Sequence, residues 1–485
     1  MRNDQISLSR LSDEVEALSP AFTAVADRIW GHAELRFAEH ASVEEQIAAL
    51  EAHGFRVTRA VAGLPTAFVA EAGSGGPVVG FLGEFDALAG LSQEAGRAEQ
   101  HALVAGGSGH GCGHNLLGAG AMLAAVAARD SLAANGLEGT IRYYGCPGEE
   151  GGSGKTFMAR EGVFDDLDLA VSWHPGVVSS VMSSRSLANF QVYFRFHGRA
   201  SHAAGSPWLG RSALDAVELM NVGVNYLREH MPLDCRVHYA ITNSGGVSPN
   251  VVQAEAEVLY LIRGPRVREA QALFERVKAC AEGAAIMTGT RMEMEIDKAC
   301  SDTVPNTVLE MRMHENLQQL GAPAFNAEDL RLAEAIRASL SEEDLADSVA
   351  SMGGEPSLAA EPLHRRVLPF DGTSRPGNGS TDVGDVSQIV PTVQCWGATW
   401  AIGTPFHTWQ AVAQGKSPGA HKGMVQAAKA MAATALDALR DPELLRRAKE
   451  ELRERTGGRP YECPIPADVL APPLRAAARA AKRAD

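Results

Sequence analysis

The chain has 485 residues, 45% of them apolar and 21% charged, a balance that fits a globular enzyme with a large core and more than one domain. A formal net charge of −15 argues against nucleic acid or an anionic membrane as partner. Seven scattered cysteines, an odd number, argue against a disulfide framework and for a reducing, cytoplasmic compartment.

Met1 to Arg10 lacks the apolar core of a signal peptide, and no run approaches the length of a membrane span. Leu11 to His32 reads as an amphipathic helix and Ala41 to His53 as a second, ended by Gly54. Phe68 to Glu71 and Val78 to Leu82 are short apolar runs between glycines, hence strands. The second releases Gly83-Glu84-Phe85-Asp86, two carboxylates just past a strand end.

A glycine-rich loop then reaches Gly109-His110-Gly111-Cys112-Gly113-His114-Asn115, followed by an Ala/Leu-rich helical pattern from Leu116 to about Leu132. Thiolate and imidazole ligate transition metals, and glycine lets backbone wrap a small object. The loop is therefore expected to hold a metal. Thr140 to Cys146 is the next strand, releasing Glu149-Glu150, and Leu167 to Trp173 another, ending at His174-Pro175. This alternation predicts an α/β fold with a mostly parallel central sheet, with the chemistry at the carboxyl ends of its strands.

Between about Ser186 and Lys298 the pattern changes to two strand–helix–strand units: Phe190 to Phe196, a helix from Ser212 to His230, Arg236 to Thr242, Val251 to Arg263, a helix from Arg266 to Met287, and Arg291 to Lys298. Residues 187–299 are expected to be a smaller inserted α+β domain, with 1–186 and 300–485 forming a discontinuous catalytic domain. Helices follow at Thr307 to Leu320 and Ala327 to Ser339. Gly353 to Gly379 reads as a long functional loop, Val393 to Trp396 as a strand and Gly403 to Gly419 as a loop. His421 opens a helix to about Leu439, and Pro442 to Arg455 is a charged helix before a Pro-rich tail.

Each candidate has a bland reading when taken alone: a loop-stabilising cysteine, a solvated Glu-Glu pair, a satisfied strand-end histidine. Together, Cys112, His114, Glu150, His174 and His421 would supply a dinuclear metal site and leave Glu149 free as a base. Two other motifs are set aside. The run Gly148 to Thr156 resembles a phosphate loop, but two acids within it would repel phosphate. Gly107-Ser108-Gly109-His110-Gly111 is too short a glycine pattern to mark a dinucleotide site.

Gly-His-Gly-Cys-Gly-His-Asn, Gly-Glu-Glu-Gly-Gly, Ser-Trp-His-Pro, Gly-Arg-Ala-Ser-His-Ala-Ala and Gly-Ala-His-Lys-Gly-Met resemble the aminoacylase/carboxypeptidase-G superfamily of metallopeptidases. Within it the chain is most similar to the amidohydrolase branch of aminobenzoyl-glutamate, indole-acetyl-amino-acid and hippurate hydrolases. Gly379 to Val386 and Phe406 to Gln410 point to the aminobenzoyl-glutamate type. The resemblance implies two divalent ions per subunit, manganese or zinc with cobalt compatible, held by Cys112, His114, Glu150, His174 and His421. It implies Glu149 as general base and Asp86 as the carboxylate orienting the metal shell. In most of the wider superfamily a histidine ligand stands where Glu84 does; its absence fits this branch, in which the cysteine takes over ligation, and the branch's aspartate after Cys-Gly-His is Asn115 here.

The inserted domain would be a lid and dimerisation domain whose His202 reaches a partner subunit's site to stabilise an oxyanion. Asn250, Arg263 and His407 would face substrate. The implied reaction is cleavage of the amide bond of an N-acyl amino acid, including N-aroyl types, by a homodimer that leaves room for a second, non-identical subunit. A dipeptidase or an aromatic-amine deaminase on the same fold is the alternative.

Overall fold

The computed structural model describes residues 7–351 and 356–476. A seven-stranded sheet runs in the order Arg56–Arg59, Phe68–Ser74, Gly139–Cys146, Val78–Glu84, Leu169–Gly176, Thr392–Ala398, Ser180–Val181. Its four central strands, Gly139–Cys146 to Thr392–Ala398, are mutually parallel. The flanking strands pair antiparallel. Parallel strands are covered on both faces and so read as continuous apolar runs; in Val78–Glu84 every residue after Val78 is buried.

The Ala/Leu-rich helix spans His114–Ala134 and packs against Leu8–His32, Pro418–Arg440 and the sheet. It is apolar all round because it has neighbours all round. It is also long and apolar enough to cross a membrane, contrary to the expectation that no run would be, but 83% of its most apolar stretch is buried within the protein. It is thus a core helix. Leu8–His32 buries Leu11, Val15, Phe22, Val25, Ala26 and Ile29, the stripe a 3.6-residue repeat places on one face.

A second sheet, all antiparallel, has the order Arg291–Cys300, Ala188–His197, Glu255–Gly264, Arg236–Asn243. Alternation in Ala188–His197 buries Phe190, Val192, Phe194 and Phe196 on one face. Helices Ala213–Leu227 and Val267–Thr288 pack on this sheet. The strand expected from Val251 starts only at Glu255, because Val251 pairs instead with His202 and Val252 N–H donates to the Ser201 carbonyl.

Three other expectations change. The strand Arg56–Arg59 and the helix Glu342–Ser351 carry too little apolar pattern to read from sequence. Residues 353–355 of the expected long loop lie outside the described residues. The rest holds a turn at Pro356–Ala360 and a short strand, Arg375–Pro376, paired with Ser184–Arg185. The expected loop 403–419 contains the helix Trp409–Gln414. Its Gln414 side chain accepts from Ala401 N–H and donates to Thr404 Oγ1, and so ties the segment leading into that helix.

Candidate metal centre

The carboxyl ends of the parallel strands converge. Val78–Glu84 ends at Glu84 and leads to Asp86; Gly139–Cys146 leads to Glu149 and Glu150; Leu169–Gly176 carries His174 near its end. Cys112 and His114 enter from the loop capping His114–Ala134. Gly113 there has φ +75°, and a Cβ would come within 2.8 Å of Trp400 and 2.9 Å of Pro175, so only glycine allows the turn.

Asp86 organises the groups around it. Its Oδ1 is 2.9 Å from His114 Nδ1, and its Oδ2 accepts from the Glu150 backbone N–H at 2.8 Å. The carboxylate thereby fixes the His114 ring with Nε2 facing inward, the usual arrangement behind a ligating histidine. Cys112 Sγ lies 3.5 Å from His174 Nε2, and His407 Nε2 lies 3.2 Å from Glu150 Oε1.

Two groups of metal-binding side chains result, Cys112/His114/His174 and Cys112/Glu150/His407, and both contain Cys112. Atoms bound about 2.0–2.3 Å from one ion stand roughly 3.0–3.6 Å apart, which these contacts match. His114 Nε2 is buried without a hydrogen bond. Buried polar atoms are normally partnered, so an unpartnered ring nitrogen grouped with Cys112 and His174 fits a divalent ion.

The electrostatics agree. Burial pushes the His174 ring down to about 3, which keeps it neutral and able to ligate. Burial pushes the Cys112 thiol up, so its thiolate needs a cation beside it. Burial works to raise Glu150, but the hydrogen bond with His407 and the charge of His114 outweigh it and hold the carboxyl at about 2. Glu149 is raised well above the ordinary range by burial and then by the neighbouring charges of Glu84 and Glu150. Adjacent in sequence, the pair is driven apart: Glu150 stays an anion and Glu149 favours holding a proton.

His421 is not brought to this cluster. It sits in the first turn of Pro418–Arg440, with Nε2 2.9 Å from Asp27 on Leu8–His32. His407, expected at the substrate, lies instead in the group with Cys112 and Glu150. His407 is held at φ +60°, strained for a non-glycine residue, and its N–H donates to the Gly111 carbonyl at 2.9 Å.

His202 and Asn250 are exposed on the second sheet's domain, and neither is among the grouped metal-binding side chains. His202 Nδ1 accepts from the N–H groups of Ala204 and Gly205, which leaves Nε2 as the donor. Arg263 is part-buried, donates to Ser380 Oγ at 2.8 Å and is close enough to feel the charge of Glu149. Asn115 does not ligate; its amide donates to the carbonyls of Ala26 and Gly415.

Three residues beside the cluster are not marked by sequence as site residues. Lys155, whose motif resembles a phosphate loop, is fully buried with Nζ 2.5 Å from Glu84 Oε1 and 2.6 Å from Asp382 Oδ1. Trp396 and Phe406 pack edge-on against His174, at ring separations of 5.3 and 5.6 Å. The lysine has a signal in Gly154-Lys155-Thr156, but its burial is a tertiary fact.

The sequence model of peptidase family M20/M25/M40 matches residues 80–481. The chain belongs to that family. As a member it is a metal-dependent amidohydrolase. It is 51% identical to one of the subunits of the p-aminobenzoyl-glutamate hydrolase of Escherichia coli (strain K12), over 96% of this chain and 98% of that one. To another subunit of the same hydrolase it is 30% identical, over 49% of this chain and 56% of that one. It is 31% identical to the Xaa-Arg dipeptidase of Mus musculus, over 92% and 91% of the two chains. Among solved structures it matches a dinuclear metal-binding M20 peptidase from Bacillus subtilis with a TM-score of 0.53 and 16% identity, covering 88% of this chain and 99% of that one. This last likeness is one of fold.

Proposed function

We propose that this enzyme hydrolyses the amide bond of N-acyl amino acids in the cytoplasm, with N-aroyl glutamates of the p-aminobenzoyl-glutamate type as preferred substrates. The observation that carries the reading is the convergence of Cys112, His114, His174, Glu150 and His407, with Glu149 beside them and tied to none of them by a hydrogen bond. Two divalent ions, manganese or zinc, suit this mixed sulfur, nitrogen and oxygen set. Bound there, they supply Lewis acidity toward an amide carbonyl and lower the pKa of water.

The chain's own groups do the rest. Glu149 takes the proton of the attacking water and gives it to the departing amine nitrogen. Its raised proton affinity suits a group that must hold a proton between two steps. Trp396 and Phe406 offer edges and faces to an aryl acyl group beside His174. Arg263 and Asn250 suit the carboxylate of the amino-acid half, the guanidinium through its forked donors.

His202 acts from a second copy, donating Nε2–H to the oxyanion. The second sheet's outer strand Arg236–Asn243 exposes Tyr239 and Ile241, and the helix above it exposes Val222 and Tyr226. An open edge strand with apolar neighbours suits pairing with another copy. The Escherichia coli hydrolase has two different subunits similar to this chain, which supports testing for a non-identical partner as well.

Purified enzyme with measured metal content, offered a panel of N-aroyl amino acids, N-acyl amino acids and dipeptides, should release acid and amine fastest from N-aroyl glutamates. Preference for a free α-amino group would favour the second reading, a dipeptidase, which the mouse relative supports. Ammonia without amide cleavage would mean a deaminase. Glu149→Gln should lower kcat by about 10²–10⁴-fold with metal content unchanged; full turnover in that variant would remove the proposed base.

A further inference from the structure

Lys155 is the only buried cation set against two buried carboxylates beside the centre, Glu84 and Asp382, among the described residues. Asp382 spends both oxygens on it: Oδ1 takes the ammonium at 2.6 Å, and Oδ2 accepts from the Lys155 backbone N–H at 2.8 Å. Glu84 gives only Oε1 to Lys155. Its Oε2 stands 3.2 Å from His114 Nε2.

That contact is within ion-pair distance, yet His114 Nε2 makes no hydrogen bond, so the ring nitrogen and the carboxylate oxygen are not aimed at one another. Their separation is the one two ligands of a common ion would have. Glu84, His114 and Glu149 in fact form a third group of close metal-binding atoms.

The geometry points to Glu84 as a further protein ligand, presenting Oε2 to the ion on the His114 side while Lys155 anchors Oε1. This inference rests on the metal-centre reading above. Lys155 is then a positioning residue. It keeps Glu84 extended from the end of its strand and ties that strand to the loop carrying Asp382. The Gly154-Lys155-Thr156 motif thereby acquires a role that has nothing to do with phosphate.

The test is calorimetric titration of chelator-stripped enzyme with Mn²⁺ and, separately, Zn²⁺, together with thermal melts with and without metal. Wild type should take up two ions. Glu84→Gln should weaken one of them by at least the roughly 10–100-fold that loss of even an outer-shell partner costs, and should shrink the metal-induced rise in Tm. Its metal-free Tm should be unchanged or higher, because Lys155 keeps a one-to-one partner in Asp382. Glu84→His, which keeps a ligand but not the counter-charge, should bind zinc more tightly than Glu84→Gln. Unchanged affinity for both ions with a lowered metal-free Tm would make Glu84 only the counter-charge of Lys155 and overturn the inference, as would Glu84→His binding no better than Glu84→Gln. Wild type taking up no ion would instead sink the metal-centre reading itself, and this inference with it.

Discussion

At the scale of single residues, two histidines stand elsewhere than their sequence motifs suggest. His421 sits in a motif that looks like a ligand, yet it faces Asp27; His407 sits in a loop and meets Glu150. His407→Ala should therefore cut bound metal toward half and abolish turnover, while His421→Ala leaves metal content intact. Elemental analysis of both variants decides, and equal loss in the two would reverse the assignment.

A second residue-scale prediction concerns a carboxyl remote from the centre. Burial pushes Glu310 up to about 7, against a hydrogen bond from Ser183 at 2.9 Å. Its folded-state pKa is raised, so its contribution to stability is complete below the unfolded value and is lost as pH climbs through 7. Glu310→Gln should be more stable than wild type at pH 8 by about 2–3 kcal/mol and gain little at pH 4. Chemical denaturation at the two pH values measures this, and an equal effect at both would refute it.

At the scale of elements, the site exists because parallel strands end together. Val78–Glu84 and Gly139–Cys146 run in register to Glu84 and Cys146, so the loops that follow emerge side by side. The second sheet contributes differently, through its free edge. If two copies pair through this edge as proposed, Ile241→Lys combined with Tyr226→Lys on the exposed edge and helix should leave only monomer in light scattering. Turnover should fall with it, because His202, the proposed oxyanion donor, is exposed in its own chain and stands outside the groups of metal-binding side chains. A fully active monomer would rule out delivery of His202 by a second copy.

At the scale of the whole molecule, the centre gathers residues from strands, loops and helices spread from Glu84 to His407, so an ion there ties the catalytic layer together. Binding only to the folded state at 100 times Kd adds about 2.7 kcal/mol per site. Chelation should therefore lower Tm, and stoichiometric Mn²⁺ or Zn²⁺ should restore it. The seven free thiols predict that reducing agent alone leaves Tm unchanged.

Much of this was legible in sequence, because the relevant physics is local. Apolar runs bounded by glycine marked the parallel strands; motifs after them singled out Glu149, Glu150 and His174, and the glycine-rich loop singled out Cys112 and His114, all of which fall in the close groups of side chains. Alternation marked Ala188–His197, since one face of that strand is buried and the other is not. What sequence could not settle depends on which side chains meet across hundreds of residues. That His407 and not His421 stands beside Cys112 and Glu150 follows from a strained turn pinned to Gly111 and from the packing of Pro418–Arg440 on Leu8–His32. The place of Lys155 between Glu84 and Asp382 follows from burial, which no motif states. Sequence by itself determined the chemical inventory and the strand ends that carry it; only the tertiary structure decided which members share a point in space, because ligation depends on distance and desolvation rather than on order along the chain.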